Sequence, residues 1–208
     1  MSIYIRPKSS GAVIFFTVCL ADRRSDLLVR KIGLLRDAVR VTRAERPFEI
    51  AAWVVLPEHM HCIWKMPGSD GNFSVRWGAI KSRFTMSLRK SGFSLPPDLP
   101  VVQNGRYAGM KPGLRVAKRE RAVWQRRYWE HHVRSREELN ALIGYCWFNP
   151  VKHGLAHRPA AWPYSSFHRD VRLGRVPPDW QGRDVALEAG EPNPEGGTAA
   201  SAFLPQAE

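Results

Sequence analysis

The order of elements along this chain predicts an α+β fold, a ferredoxin-like antiparallel sheet with helices packed on one face. Three observations carry that expectation. Four segments have the β-branched and aromatic composition of strands, and three others repeat apolar residues at helical spacing. Two of the strands are separated only by Pro57-Glu58, which leaves room for nothing but an antiparallel hairpin. The sequence therefore reads strand, helix, strand, strand, helix, strand, helix, with no internal repeat.

Taken in order, residues 12–20 form a continuous apolar run that ends at Asp22-Arg23-Arg24-Ser25, the pattern of a buried strand and its loop. Across 30–45, Ile32, Leu35, Val39 and Thr42 fall near helical spacing among arginines, and Pro47 stands just beyond the end. Residues 48–56 and 59–66 are the two arms of the hairpin. A second amphipathic helix is expected over 73–90, with Val75, Ile80, Phe84 and Leu88 inward and Arg76, Lys81, Arg83 and Arg89 in water. Residues 91–123 have no period; glycines, prolines and the basic stretch from Lys111 to Arg121 predict a mobile loop facing a polyanion.

A fourth strand is expected over 124–133, where aromatic and charged residues alternate. Ser135-Arg136-Glu137-Glu138 has the spacing of a capping box and opens the last helix. Leu139, Leu142, Ile143, Cys146 and Trp147 make its core-facing stripe. Tyr145 points to one side of that stripe, and Asn149, one turn later, shares its side. Pro150 is expected to end or kink the helix, and Gly154 continues the break. One domain over 1–181 and a disordered acidic tail over 182–208 complete the layout.

Composition narrows the class. With 44% hydrophobic and 11% aromatic residues among 208, the chain can bury a core. No window approaches the ~18 apolar residues of a membrane span. Residues 1–26 suit a strand better than an export signal. Three widely spaced cysteines, Cys19, Cys62 and Cys146, argue against a disulfide framework and for the reducing cytoplasm. The net charge of +13 is unevenly spread: residues 183–208 hold one arginine and five acids, a net of −4, so residues 1–182 carry +17. A domain so basic favours a polyanionic partner, nucleic acid above all.

Chemistry concentrates in one place. His59 and His61 alternate along a strand, so a period of two turns both imidazoles to one face, half of a metal site. Tyr145 becomes a nucleophile toward a phosphodiester if a cation beside it neutralises developing charge. Asn149 offers an amide oxygen one turn from Tyr145, so a single helix can bring nucleophile and third ligand together. His153, one further turn along, is a substitute ligand or a phosphate contact. His131 and His132 are adjacent on a strand, face opposite ways and receive no catalytic role. Trp124, Tyr128, Trp129, Trp162 and Tyr164 are candidates for stacking on bases, as aromatics interleaved with Arg126 and Arg127 do in single-strand binders, with core packing the expected role of most.

Four motifs then stand together in order: Trp53-Val54-Val55-Leu56-Pro57-Glu58-His59-Met60-His61, Trp129-Glu130-His131, Asn149-Pro150-Val151-Lys152-His153-Gly154, and Trp162-Pro163-Tyr164-Ser165-Ser166-Phe167-His168. Their order and spacing resemble the REP-associated tyrosine transposases, single-tyrosine members of the HUH endonuclease group, across roughly residues 10–180. The resemblance implies a catalytic domain in which Mg²⁺ or Mn²⁺ sits on His59 and His61, with Asn149 as third ligand where related transposases carry glutamine. It also implies Tyr145 attacking single-stranded DNA beside a repetitive extragenic palindrome hairpin. The products would be a 5′-phosphotyrosine and a free 3′-hydroxyl. The competing expectation is a non-catalytic hairpin-DNA-binding module or repressor of the same fold. Neither reading decides the oligomeric state, and a monomer is one option.

Overall fold

The structure, a computed structural model, describes residues 10–93 and 123–182. The basic stretch 111–121, most of the loop expected over 91–123 and nearly all of the expected tail lie outside the described residues.

Strand β1 (Val13–Cys19) leads through α1 (Leu27–Arg30) and α2 (Ile32–Glu45) to the hairpin β2 (Glu49–Val55) and β3 (His59–Lys65). Helix α3 (Phe73–Lys90), β4 (Trp129–His132) and α4 (Arg136–Lys152) follow, then a 3-10 turn (Pro159–Ala161) and α5 (Phe167–Arg172). The four strands form one antiparallel sheet in the order β2-β3-β1-β4, the split arrangement expected of a ferredoxin-like chain.

The expectation of helices on one face holds for α2 and α3 and needs correction for α4, which packs on the opposite face. The reason lies in the alternation of β1. Ile14, Phe16 and Val18 join the α2 and α3 core, whereas Phe15 joins Ile63, Ala52 and Val54 under α4. A central strand apolar on both faces must be covered twice. The α2 and α3 side is built on rings, with Trp64 stacked on Trp77 at 4.4 Å between centroids and Phe16 against both.

Helix phases refine the reading of the sequence. The α3 stripe is Phe73, Trp77, Ile80, Phe84 and Leu88, and this phase places Arg76 inside at 2% exposure and Val75 outside at 46%. The fourth strand is also shorter than the expected 124–133. Only Trp129–His132 pairs regularly with β1, and Trp124 makes an isolated bridge to Leu20.

Helix α4 begins as its capping box predicts, with the Glu138 backbone N–H donating to Ser135 Oγ at 3.1 Å. Pro150 does not end it. The helix runs on to Lys152, because a proline in the last turn forfeits a single hydrogen bond. It closes at Gly154, φ +67°, with Leu155 N–H bonded to Pro150 O and Gly154 N–H to Val151 O, the paired bonds of a Schellman motif. The chain then returns along the free edge of β2: Val55 N–H bonds Tyr164 O at 2.9 Å and Ser166 N–H bonds Trp53 O at 2.7 Å. This strap covers an edge that would otherwise offer unpaired backbone. Its Arg169 donates to the carbonyls of Ile50 and Ala51, where a register shift interrupts the β2 ladder.

Candidate functional site

The hairpin sets the first two groups. Leu56 N–H bonds His59 O at 2.8 Å across Pro57-Glu58, so β3 starts at His59. Alternation then turns His59 and His61 to the α4 side, their ring centroids 4.9 Å apart and the residues 3% and 1% exposed. Each ring is held through Nδ1. His59 Nδ1–H donates to Glu58 Oε1 at 2.7 Å, and His61 Nδ1 lies 2.9 Å from Thr17 Oγ1, directly across on β1. The tautomer carrying its proton on Nδ1 satisfies both contacts and leaves Nε2 as a bare lone pair.

Electrostatics keep His61 in that neutral form. Burial, followed by the charges of His59, His153, Lys152 and Arg23, holds its pKa well below the ordinary value. Burial alone would raise the Glu58 carboxyl. The hydrogen bond and charge of His59, with a smaller contribution from Arg23, bring it below the usual carboxylate range instead.

Helix α4 lays Tyr145 over this pair. The Tyr145 and His61 ring centroids are 5.3 Å apart, and Phe15 lies against both, 5.6 Å from His61 and 6.0 Å from Tyr145. Tyr145 is 3% exposed and belongs to the α4 core cluster with Leu142 and Cys146, so it sits within the sheet-facing surface instead of beside it. The expected stripe is itself divided. Trp147 turns away from the sheet to pack on Phe167 and Trp180 of the strap, because α4 is covered on both sides. Lys152 Nζ stands 5.4 Å from the Tyr145 ring centroid, and His153 places its ring 5.2 Å from His59.

Asn149 is 1% exposed, and neither Oδ1 nor Nδ2 has a hydrogen-bond partner; His61 Nε2 is likewise buried and unpaired. An unmet buried polar group costs about 1–3 kcal/mol, so such atoms in one region indicate a group they are meant to hold. Among the described residues no three His, Cys, Asp or Glu side chains group as a metal cage. An amide oxygen with two imidazole nitrogens does fit a divalent cation, and His59, His61 and Asn149 could supply that set.

Sequence reasoning missed Thr17, Glu58 and Phe15. Thr17 had a signal, being the one hydroxyl in an otherwise apolar strand, and Glu58 adjoins the first histidine. His131 and His132 do face opposite ways. His131 Nε2 meets Glu138 Oε1 at 2.6 Å on the α4 side, while His132 packs on Phe73. Among the described residues no helix is long and apolar enough to cross a membrane.

An antiparallel α+β sheet with a histidine pair beneath a helix-borne tyrosine can now be compared with known proteins. A REP-associated tyrosine transposase of Escherichia coli (strain K12) is 41% identical over 191 residues, 92% of this chain and 98% of its own length. A relative from Haemophilus influenzae, named for the same family, is 36% identical over 182 residues, 88% of this chain and 94% of its own. A solved structure of a REP-associated tyrosine transposase bound to a REP hairpin superposes with a TM-score of 0.73 at 39% identity. It matches 93% of this chain and 99% of that one. No family model matches. The fold and these relatives define an enzyme of the tyrosine-transposase class. Within it, the chain belongs to the REP-associated tyrosine transposases.

Proposed function

We propose that this protein is a metal-dependent single-stranded DNA endonuclease and strand transferase that acts beside REP hairpins through a 5′-phosphotyrosine on Tyr145. The observation that carries the reading is the buried, unpaired donor set of His61 Nε2 and the Asn149 amide, on the same side of the sheet as the Tyr145 ring that packs on His61. The relative solved with a REP hairpin and the +17 charge of residues 1–182 support the substrate class.

In this mechanism His59, His61 and Asn149 would hold Mg²⁺ or Mn²⁺. When bound, the ion supplies Lewis-acid polarisation of a phosphoryl oxygen and neutralises charge that develops there. The chain's own groups do the rest. Tyr145 Oη gives up its proton to solvent and attacks phosphorus; the bond to the 3′ oxygen breaks, and that oxygen takes a proton from solvent and leaves as a 3′-hydroxyl. The phosphate stays esterified to Tyr145, so a 3′-hydroxyl can reverse the step and join a strand without another energy source. Thr17 and Glu58 fix the histidine rings, Phe15 excludes water from beneath Tyr145, and the Lys152 ammonium adds positive potential where the phosphate must lie.

The test is a denaturing gel with a labelled single-stranded hairpin and Mn²⁺ or Mg²⁺. The expected result is a metal-dependent covalent adduct on the wild type and none on Tyr145→Phe, with hairpin affinity retained. An adduct that persists in Tyr145→Phe removes the mechanism. Tight binding with no adduct on any hairpin replaces it with the binding-module reading.

A further inference from the structure

Among the described residues Trp129 is the only exposed side chain of the Trp, Tyr and Phe types, at 37%. It stands on β4, an edge strand, on the same side of the sheet as α4, for it pairs with Thr17 across the ladder. It is fixed on two sides. Its ring meets Phe15 edge-on at 5.6 Å and lies parallel to His131 at 5.7 Å and 6°. His131 is itself pinned by Glu138, whose other carboxylate oxygen accepts the Arg134 backbone N–H at 2.6 Å. A single exposed ring is ordinary on a protein surface, but one held between two other rings is suited to take a further ring on its open face.

Phe15 decides what that is, because it touches Trp129, His61 and Tyr145. The open indole is therefore two ring contacts from the tyrosine. Arg127, two residues before it, and Arg134 and Arg136, just past the end of β4, are exposed, and cations along this stretch suit a phosphate backbone and not an apolar protein surface.

We propose that Trp129 is a stacking platform for an unpaired nucleobase of the strand whose phosphodiester lies at Tyr145. This rests on the reading of Tyr145 given above. A strand presented to a tyrosine must be unpaired there, and its flanking bases need partners in place of the duplex they have left. An indole offers any base a π-face, so this contact holds the strand in position and tolerates sequence. His131 and Glu138 then act as positioning residues that keep the indole flat and open.

The experiment uses the full chain with Tyr145→Phe, so that binding is read without cleavage. The probe is a labelled hairpin with single-stranded flanks, scanned with one abasic site at a time. Trp129→Leu, which preserves apolar packing on Phe15 but has no π-face, is expected to weaken binding about 5- to 100-fold. Trp129→Phe should lose less than about fivefold. At one flanking position, removing the base should weaken binding by the protein that keeps Trp129 by a similar factor. The same abasic site should hardly affect the Trp129→Leu variant, because both changes delete the same contact.

Strictly additive losses at every position, equal losses in Trp129→Leu and Trp129→Phe, or no binding by the parent protein would each overturn the proposal. Adduct formation by the unmodified protein is scored in parallel. An adduct with additive losses keeps the nuclease and removes the platform, and coupled losses without an adduct do the reverse. Matching unfolding midpoints establish that the variants fold.

Discussion

Two buried polar side chains on opposite faces of the sheet make the most instructive contrast in this molecule. Arg76, 2% exposed, makes four hydrogen bonds: it donates to Asp70, to the carbonyls of Asn72 and Pro47 at 3.1 and 2.9 Å, and to that of Arg46 at 3.3 Å. The side-chain amide of Asn149, a residue 1% exposed, donates to nothing and accepts from nothing. Arg76 ties α3 to the turn before β2, and its satisfied bonds serve stability. Asn149 is held ready, and its unmet capacity is what a binding site requires. The indole N–H groups of Trp53, Trp77 and Trp124 also lack acceptors, but they are donors and offer nothing to a cation.

The comparison breaks most visibly at Arg76. Arg76→Ala removes four hydrogen bonds, each contributing about 0.5–1.5 kcal/mol, and a loss of about 3 kcal/mol or more in urea unfolding is expected. A loss below about 1 kcal/mol would mean that the network is incidental. Next come the groups that aim the histidines. Thr17→Val and Glu58→Gln should each weaken Mn²⁺ binding about 10- to 100-fold, measured by titration calorimetry, and Thr17→Val should also cost about 1–3 kcal/mol of metal-free stability by leaving the buried His61 Nδ1–H unmet. Unchanged affinity in both would remove the positioning role.

A smaller effect follows from two buried thiols, Cys62 in the core under α2 and α3 and Cys146 in the core under α4. Burial raises Cys62 and Cys146 well above the ordinary thiol value. The folded state therefore retains those protons more strongly than the unfolded chain. Their contribution is fully present below the unfolded pKa and is lost as pH rises toward the folded one. Stability should fall above about pH 9, by up to roughly 1.4 kcal/mol per pH unit for each thiol, and Cys62→Ala or Cys146→Ala should flatten that slope. Urea midpoints at pH 8 and 10 measure it. Smallest is Asn149→Leu: without metal its stability should be unchanged or higher by about 1 kcal/mol, since an unmet amide is removed. Mn²⁺ should raise the melting temperature of the wild type and not of this variant. A large metal-free loss in Asn149→Leu would show that the amide is structural after all.

Much of this could be read from the residues in order. The α3 limits at 73 and 90, the Ser135 cap and the hairpin over Pro57-Glu58 are local, set by spacing and by side chains that bond their own backbone. That His59 and His61 share one face was legible for a related reason, since period two on a strand orients side chains without reference to the rest of the chain, whereas Tyr145, expected to one side of the α4 stripe, lies within it. Arg76 was misread because helical phase is decided by the whole stripe, and Trp77 and Phe73 outweigh Val75.

What the sequence by itself determined, then, is which faces exist, where elements start and which side chains each carries. Tertiary structure alone decided which face meets which. It set α4 on the opposite side from α2 and α3, brought Thr17 across the ladder to His61, and folded the strap over β2. The physical reason is that pairing and packing join residues far apart in the chain, and no local propensity encodes the partner. Asn149 shows this most plainly: its type and its position on α4 were visible in the sequence, but the isolation of its amide from every hydrogen-bond partner exists only once the helix is laid on the sheet.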